Sequence, residues 1–176
     1  MSISRKLLLD TLEQGAVYYI PQWWMTNGQN HFFVVMNKDP KSDITTLAYV
    51  VTSQVEKVEL RVAKLRYPEE TMVYIRKGTR PERKKGRFCF DKCSVVNCNS
   101  CKSLPRKEFE SATKTSSASY AGRLPMELLA SIIKGASMSP VLNDSDKRAM
   151  GAVTASLPVR PPSRSVRISV SPLPRN

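Results

Sequence analysis

Apolar residues in the first hundred positions occur in short runs that are separated by turn-forming residues. The runs that predict strands cover positions 16–21, 31–37, 44–53 and 71–75. Positions 87–97 predict a fifth element, either one bent strand or a tight hairpin. The run HFFVVMN at 31–37 is continuously apolar, which is typical of a strand buried on both faces. Short strands with frequent turns favour a mainly β fold built as a small barrel over a parallel sheet.

Helical spacing of apolar residues predicts short helices at both ends of this β region. The predicted helices cover 3–13, 105–112, 125–134 and 140–149. Ser4 is a candidate N-cap for the first helix. Charged and apolar residues alternate over 55–66, so this segment is predicted to be extended or irregular.

The last part of the chain has a different composition from the rest. From position 154 onward, prolines alternate with serines and with Arg160, Arg164, Arg167 and Arg175, and no acidic residue occurs. Such a segment cannot bury enough apolar surface to order itself. We therefore expect a disordered basic tail at 154–176, which follows a linker and amphipathic helices at 113–153.

Composition indicates a folded domain with a polyanionic partner. The chain has 176 residues, of which 41% are hydrophobic, so a core can form. Its 28 basic and 15 acidic side chains give a net charge of +13. The surplus lies beyond position 60, because the first 60 residues carry five basic and six acidic side chains. A nucleic acid, an anionic membrane surface or an acidic protein would complement it.

The densest basic run is punctuated by glycine and proline and predicts an exposed loop. Its cations are Arg76, Lys77, Arg80, Arg83, Lys84, Lys85 and Arg87. The loop is either a solvated surface or a contact surface for phosphates, which would release counterions on binding.

No apolar run is long enough for a membrane span or a signal peptide, so we expect a cytoplasmic protein without a membrane partner. The cysteines are then thiols or metal ligands. Cys89, Cys93, Cys98 and Cys101 lack the two separated pairs of a usual zinc site, which favours structural thiols over zinc. No motif for a cofactor is present, and none is expected.

Few residues are candidates for catalysis or for binding nucleic acid. His31 is the only histidine, so any histidine-dependent mechanism must use it, although a lone histidine is often structural. Thr52, Ser53 and Gln54 end a hydrophobic strand, where sites often form, or they simply terminate it. Trp23 and Trp24 are either core residues or, if exposed, platforms for stacking bases.

Several of these segments together resemble the PemK/MazF-type toxins of bacterial toxin–antitoxin systems. The resemblance is carried by 14–21 (QGAVYYIP), 33–37 (FVVMN), 52–57 (TSQVEK) and 94–104 (SVVNCNSCKSL), and it covers about 14–112. It implies an SH3-like barrel of the CcdB/PemK type at 14–112. The helical spacing at 3–13 makes 1–13 an N-terminal helix that precedes this barrel. The resemblance also implies a homodimer, an antitoxin partner and metal-independent cleavage of single-stranded RNA.

The resemblance assigns roles to individual positions. In these toxins an arginine at the start of the second strand and a threonine that ends the third support cleavage. Thr52 matches the threonine, whereas the arginine position falls at Asn30 or His31. His31 then takes over proton transfer as the second catalytic candidate beside Thr52, or the barrel binds RNA without cutting it.

The remaining candidates would bind the nucleic acid. They are Ser53, Gln54 and the seven cations of the basic run, among which Arg83 or Arg87 would stabilise the charge on the reacting phosphate. Two other functions stay open: a non-catalytic adaptor for nucleic acid or protein on the same barrel, and an inhibitor of a protein such as a topoisomerase.

Overall fold

The computed structural model describes residues 4–21, 31–82, 88–114 and 118–152. Its helices are α1 Arg5–Thr11, α2 Val55–Lys64, α3 Arg106–Thr113, α4 Met126–Met138 and α5 Asp144–Ala149. Its strands are β1 Ala16–Ile20, β2 His31–Val35, β3 Thr45–Thr52, β4 Met72–Ile75, β5 Ser94–Pro105 and β6 Ser119–Arg123. The predictions for Trp23, Trp24, Arg83, Lys84, Lys85, Arg87 and the tail at 154–176 fall outside the described residues.

The strands form one antiparallel sheet in the order β4-β5-β3-β2-β1-β6. Its two edges meet just beyond β4, where Glu82 and Arg123 exchange backbone hydrogen bonds of 2.7 and 2.9 Å. The Arg123 guanidinium also donates to the Gln14 carbonyl at 3.1 Å. This bridge joins the two edges of the curled sheet, which confirms the prediction of a mainly β, barrel-like fold with peripheral helices.

Both faces of the central strands are covered. Val34 and Met36 point into the interior of the barrel, whereas Phe33 and Val35 belong to a second core on the outer face. Leu8 of α1 and Phe109 of α3 cover that outer core. The alternation explains why β2 has an uninterrupted apolar sequence, and it confirms the prediction that this strand is buried on both faces.

The prediction of an extended or irregular segment at 55–66 is wrong, because residues 55–64 form α2. Val55, Val58 and Val62 are spaced three and four residues apart and line one side of the helix. Only Val62 is fully buried, and Leu60 is 72% exposed. The alternation of charged and apolar residues therefore reflects a largely solvated helix.

Strand β6 lies in the region predicted as a linker and helices, so the barrel extends beyond position 112. Its sequence SYAGR has no apolar run that would indicate a strand. The pairing with β1 also shifts register between Val17 and Tyr18, and Gly122 has a φ of 133° there. Such a bulge interrupts the two-residue periodicity from which strands are predicted.

The other predictions hold with shifted ends. Ser4 caps α1 by accepting the Leu7 amide at 3.2 Å. The helix predicted at 125–134 continues to Met138, and the one predicted at 140–149 begins only at Asp144. Of the two alternatives for 87–97, a single strand is present, but it begins only at Ser94 and continues to Pro105.

Helix α4 packs against the barrel interior through Leu129, Ile132 and Ala136. Gly135 permits this approach, since a methyl group there would lie 2.7 Å from the Glu70 backbone oxygen. Strand β6 and helix α4 thus pack with the strands of the barrel. Among the described helices, none has the length and apolar character needed to cross a bilayer.

Candidate functional site

The structure brings His31 and Thr52 together at one rim of the sheet. Strands β2 and β3 pair antiparallel with Phe32 opposite Val51, so the next position places His31 opposite Thr52. Phe33 and Val50, which pair with each other, are two residues from His31 and Thr52 in their strands and lie on the same face of the sheet. His31 and Thr52 therefore share a face and are cross-strand neighbours.

Both side chains line an open cavity of about 560 Å³. The polar part of its lining consists of His31, Thr52, Ser53, Gln54, Asp91, Lys92 and Ser94. The apolar part consists of Tyr19, Phe32, Val51 and Phe90. The volume lies within the range of sites for small ligands. We refer to this cavity as the rim pocket.

The imidazole of His31 is incompletely satisfied. Its Nε2 atom is buried, and it has no hydrogen-bond partner within the described part of the chain. Buried polar atoms are hydrogen-bonded in the large majority of cases, because an unpaired one costs about 1–3 kcal/mol. His31 thus combines a place in the lining of the rim pocket with an Nε2 atom that none of the described residues bonds.

The Thr52 hydroxyl is held in place by the backbone that follows it. Its oxygen accepts the Gln54 amide at 3.2 Å, which forms a tight polar turn between β3 and α2. This leaves the hydroxyl proton for donation. Thr52 also pairs with Val95 of β5, so the turn that precedes β5 lies beside it.

That turn supplies the cation of the rim pocket. Lys92 and Asp91 both line the pocket, and the Ser94 hydroxyl donates to the Lys92 carbonyl at 3.2 Å. Among the described residues, Lys92 is the only lysine or arginine in the lining. Sequence reasoning missed it, because an exposed lysine in a turn is indistinguishable from a solubilising one.

A second groove of about 530 Å³ continues from the rim pocket along the start of α2. The two cavities share Ser53 and Gln54, and the groove adds Lys57 and Cys93 to the lining. Together they form a track longer than one small ligand. Such a shape suits a segment of an extended polymer.

The three cations of the basic run that the structure describes do not line the rim pocket. Arg76, Lys77 and Arg80 are exposed and do not belong to its described lining. Their loop lies alongside it, since Gly78 and Thr79 exchange backbone hydrogen bonds with Phe90, a pocket residue. They flank the site, and their predicted role in binding nucleic acid stays a prediction.

The four cysteines lie in different environments. Cys98 is fully buried in the inner core and Cys101 is partly buried, whereas Cys93 is exposed. Burial raises the pKa of the Cys98 and Cys101 thiols to about 12. Both remain protonated at neutral pH and pack as small hydrophobes, whereas metal ligation requires a thiolate. In the described ranges, no cluster of histidine, cysteine and acidic residues is arranged for a metal ion.

Aromatic rings form the apolar wall of the rim pocket. The Tyr19 ring lies 5.3 Å from the Phe32 ring, with which it is paired across β1 and β2. Phe32 in turn contacts Phe88 at 4.7 Å and Phe90 at 5.5 Å. The signal in the sequence is the pair of aromatic residues at inward positions of the first two strands, which becomes informative only once the register is known.

Comparison with known proteins gives similarities at the level of structure. No family profile and no curated protein sequence matches the chain. A crystal structure of MazF from Deinococcus radiodurans is similar over 72% of this chain and 93% of its own, at 15% identity and a TM-score of 0.42. A mycobacterial endoribonuclease is similar over 72% of this chain and 88% of its own, at 12% identity and a TM-score of 0.38.

Proposed function

We propose that the chain is a toxin-like protein that binds single-stranded RNA along the rim pocket and cleaves its backbone. The observation that carries the proposal is the juxtaposition of His31 and Thr52 across β2 and β3 in the lining of an open cavity, with His31 Nε2 unpartnered among the described residues. The net charge of +13 favours a polyanionic substrate.

The proposed reaction is an internal transfer within the RNA. His31 Nε2 accepts the proton of a 2′-hydroxyl, whose oxygen attacks the adjacent phosphorus as the bond to the 5′-oxygen breaks. The products are a 2′,3′-cyclic phosphate and a free 5′-hydroxyl, with the proton on the leaving oxygen supplied by solvent. An imidazole suits this role because its ordinary pKa lies near neutrality.

Two further groups act on the reacting phosphate. The ammonium group of Lys92 offsets the charge that develops on the non-bridging oxygens. The Thr52 hydroxyl, already anchored by the Gln54 amide, donates a hydrogen bond to one of these oxygens. Both groups belong to the chain itself, so we expect cleavage to persist in EDTA.

The predicted partners follow from the same proposal. A toxin-like ribonuclease needs a neutralising antitoxin in the cell that makes it. The sequence resemblance further implies a homodimer, which sedimentation equilibrium of the purified chain would test.

The decisive experiment is incubation of a long single-stranded RNA with purified protein in EDTA, with H31A and T52A beside the wild type. Discrete fragments ending in cyclic phosphate that disappear in H31A and form about tenfold more slowly in T52A would support the proposal. Intact RNA with retained, salt-sensitive binding would replace it by a nucleic-acid adaptor. Intact RNA without binding would direct attention to a protein target.

A further inference from the structure

The rim pocket has two chemically different sides. One side presents His31, Thr52 and Lys92, which can donate or accept hydrogen bonds or carry charge. The other side is the aromatic wall, in which Tyr19 and Phe32 are partly exposed. A ligand that satisfies both sides needs a flat apolar face joined to a polar or anionic group.

Tyr19 is the ring best placed to receive such a face. Phe90 is only 3% exposed, so its ring is committed to the core. Phe32 contacts the rings of Tyr19, Phe88 and Phe90 and is held between them. Among the described rings, Tyr19 contacts Phe32 alone, and its backbone is held between β2 and β6.

We propose that the rim pocket contains a base subsite, in which one unpaired nucleobase stacks on Tyr19 while its phosphate lies near Lys92. The identity of the ligand rests on the proposed function, whereas the stacking geometry rests on the aromatic wall. Every nucleobase has a π-face, so the subsite holds a base with little dependence on its identity. A base within a duplex already stacks on both sides, so only an unpaired base can enter.

The test measures binding in the absence of cleavage. The probe is a fluorescent, fully 2′-O-methylated single-stranded RNA, which lacks the hydroxyl nucleophile and cannot be cut by the proposed reaction. A series of probes replaces one base at a time by an abasic sugar, and anisotropy gives Kd with the full-length protein. One position is expected to weaken binding by about 5- to 150-fold, the value of one base–aromatic stack.

Variants at Tyr19 assign that position to the ring. In Y19L, the intact probe should bind about 5- to 150-fold more weakly, and the penalty at the sensitive abasic position should fall to within about twofold. In Y19F, which keeps the ring and removes the hydroxyl, the penalty should persist. The salt dependence of Kd should be unchanged in both variants, because neither removes a contact between a cation and a phosphate.

Each outcome separates the subsite from the ribonuclease. A wild-type protein that binds without any sensitive position overturns the subsite and leaves the proposed function standing. A sensitive position that persists in Y19L also overturns the assignment to Tyr19. A sensitive position that Y19L abolishes, in a protein that leaves unmodified RNA intact, supports the subsite and overturns only cleavage. Failure to bind the probe overturns both. Because the abasic series uses the wild-type chain, detection of the subsite does not depend on the folding of Y19L.

Discussion

The polar side chains at the two ends of strand β2 differ in their hydrogen bonding. Asn37, just beyond the strand, is 1% exposed and fully hydrogen-bonded. Its amide nitrogen donates to Asp43 Oδ2 at 2.6 Å and to the Thr45 carbonyl at 2.9 Å, and its oxygen accepts the Leu47 amide at 2.6 Å. His31, at the other end, buries Nε2 without a partner in the described part of the chain.

This difference separates a structural polar residue from a candidate functional one. Asn37 substitutes for missing backbone partners in the turn between β2 and β3, so its contacts are internal and complete. His31 lines the rim pocket, where none of the described residues bonds its Nε2. Replacing Asn37 should therefore affect stability, and replacing His31 should affect chemistry.

The largest expected effect is on cleavage by H31A. Loss of the proton acceptor should lower kcat by about 10²- to 10⁴-fold, the usual contribution of a general base. The Tm should change little, because no described hydrogen bond of Nε2 is lost. Single-turnover cleavage and thermal melting measure the two quantities, and a large fall in Tm with unchanged cleavage would reverse the assignment.

Replacement of Asn37 should produce the opposite pattern. N37A leaves the Leu47 amide and the Asp43 carboxylate without their buried partner, which should destabilise the fold by about 2–4 kcal/mol. Urea unfolding measures this change, with cleavage per folded molecule expected at the wild-type level. An unfolding free energy equal to that of wild type would show that the network around Asn37 is not structural.

The pH dependence of N37D sharpens the same comparison. This variant keeps the acceptor for Leu47 but places a second carboxylate against Asp43. Mutual repulsion raises the pKa of both groups above their unfolded values, so the folded state gains stability as the pH falls and loses it as the pH rises. Urea midpoints across acidic and neutral pH should show this recovery in N37D, and a flat profile would contradict it.

A smaller effect is expected at Thr52. T52V keeps the shape but removes the hydroxyl, so cleavage should fall about tenfold, which corresponds to one hydrogen bond in the transition state. T52S keeps the hydroxyl and should remain within about threefold of wild type. Equal rates for T52V and wild type would remove Thr52 from the mechanism.

The smallest effect concerns the salt dependence of binding. K92A should lower the slope of log Kd against log salt by about 0.7, the contribution of one phosphate contact on a single strand. Lys107 is the matched control. It lies in α3, which directly follows the last residue of β5. That end of β5 pairs with Thr45, at the opposite end of β3 from Thr52. An equal change in K107A would show that the charge acts without a defined site.

Regular periodicity determined how well the fold could be predicted. The apolar run at β2 and the cap at Ser4 carry local signals, and both appear where predicted. Helix α2 was missed because it buries little, so solvated positions dominate its pattern. Strand β6 was missed because its pairing with β1, at a distance of about a hundred residues, and its bulge have no local signature.

The candidate site shows the same limit. His31 and Thr52 could be selected singly, as the only histidine and as the end of a strand. Lys92 and Tyr19 could not, because their importance comes from the register that places them in the same cavity. Residue type indicates which chemistry is available, but long-range pairing decides which groups share a pocket.

The bridge between Glu82 and Arg123 has a consequence for synthesis of the chain. Strand β1 pairs with β6 through Ala16 and Arg123, so this pairing can form only after Arg123 has been synthesised. The bridge from Glu82 requires the same residue. A ribosome that has produced every residue of the rim pocket has therefore not yet produced the strand that closes the barrel. The nascent chain therefore contains the residues of the rim pocket before the barrel can close. Premature termination before β6 should yield an open sheet with unpaired edges.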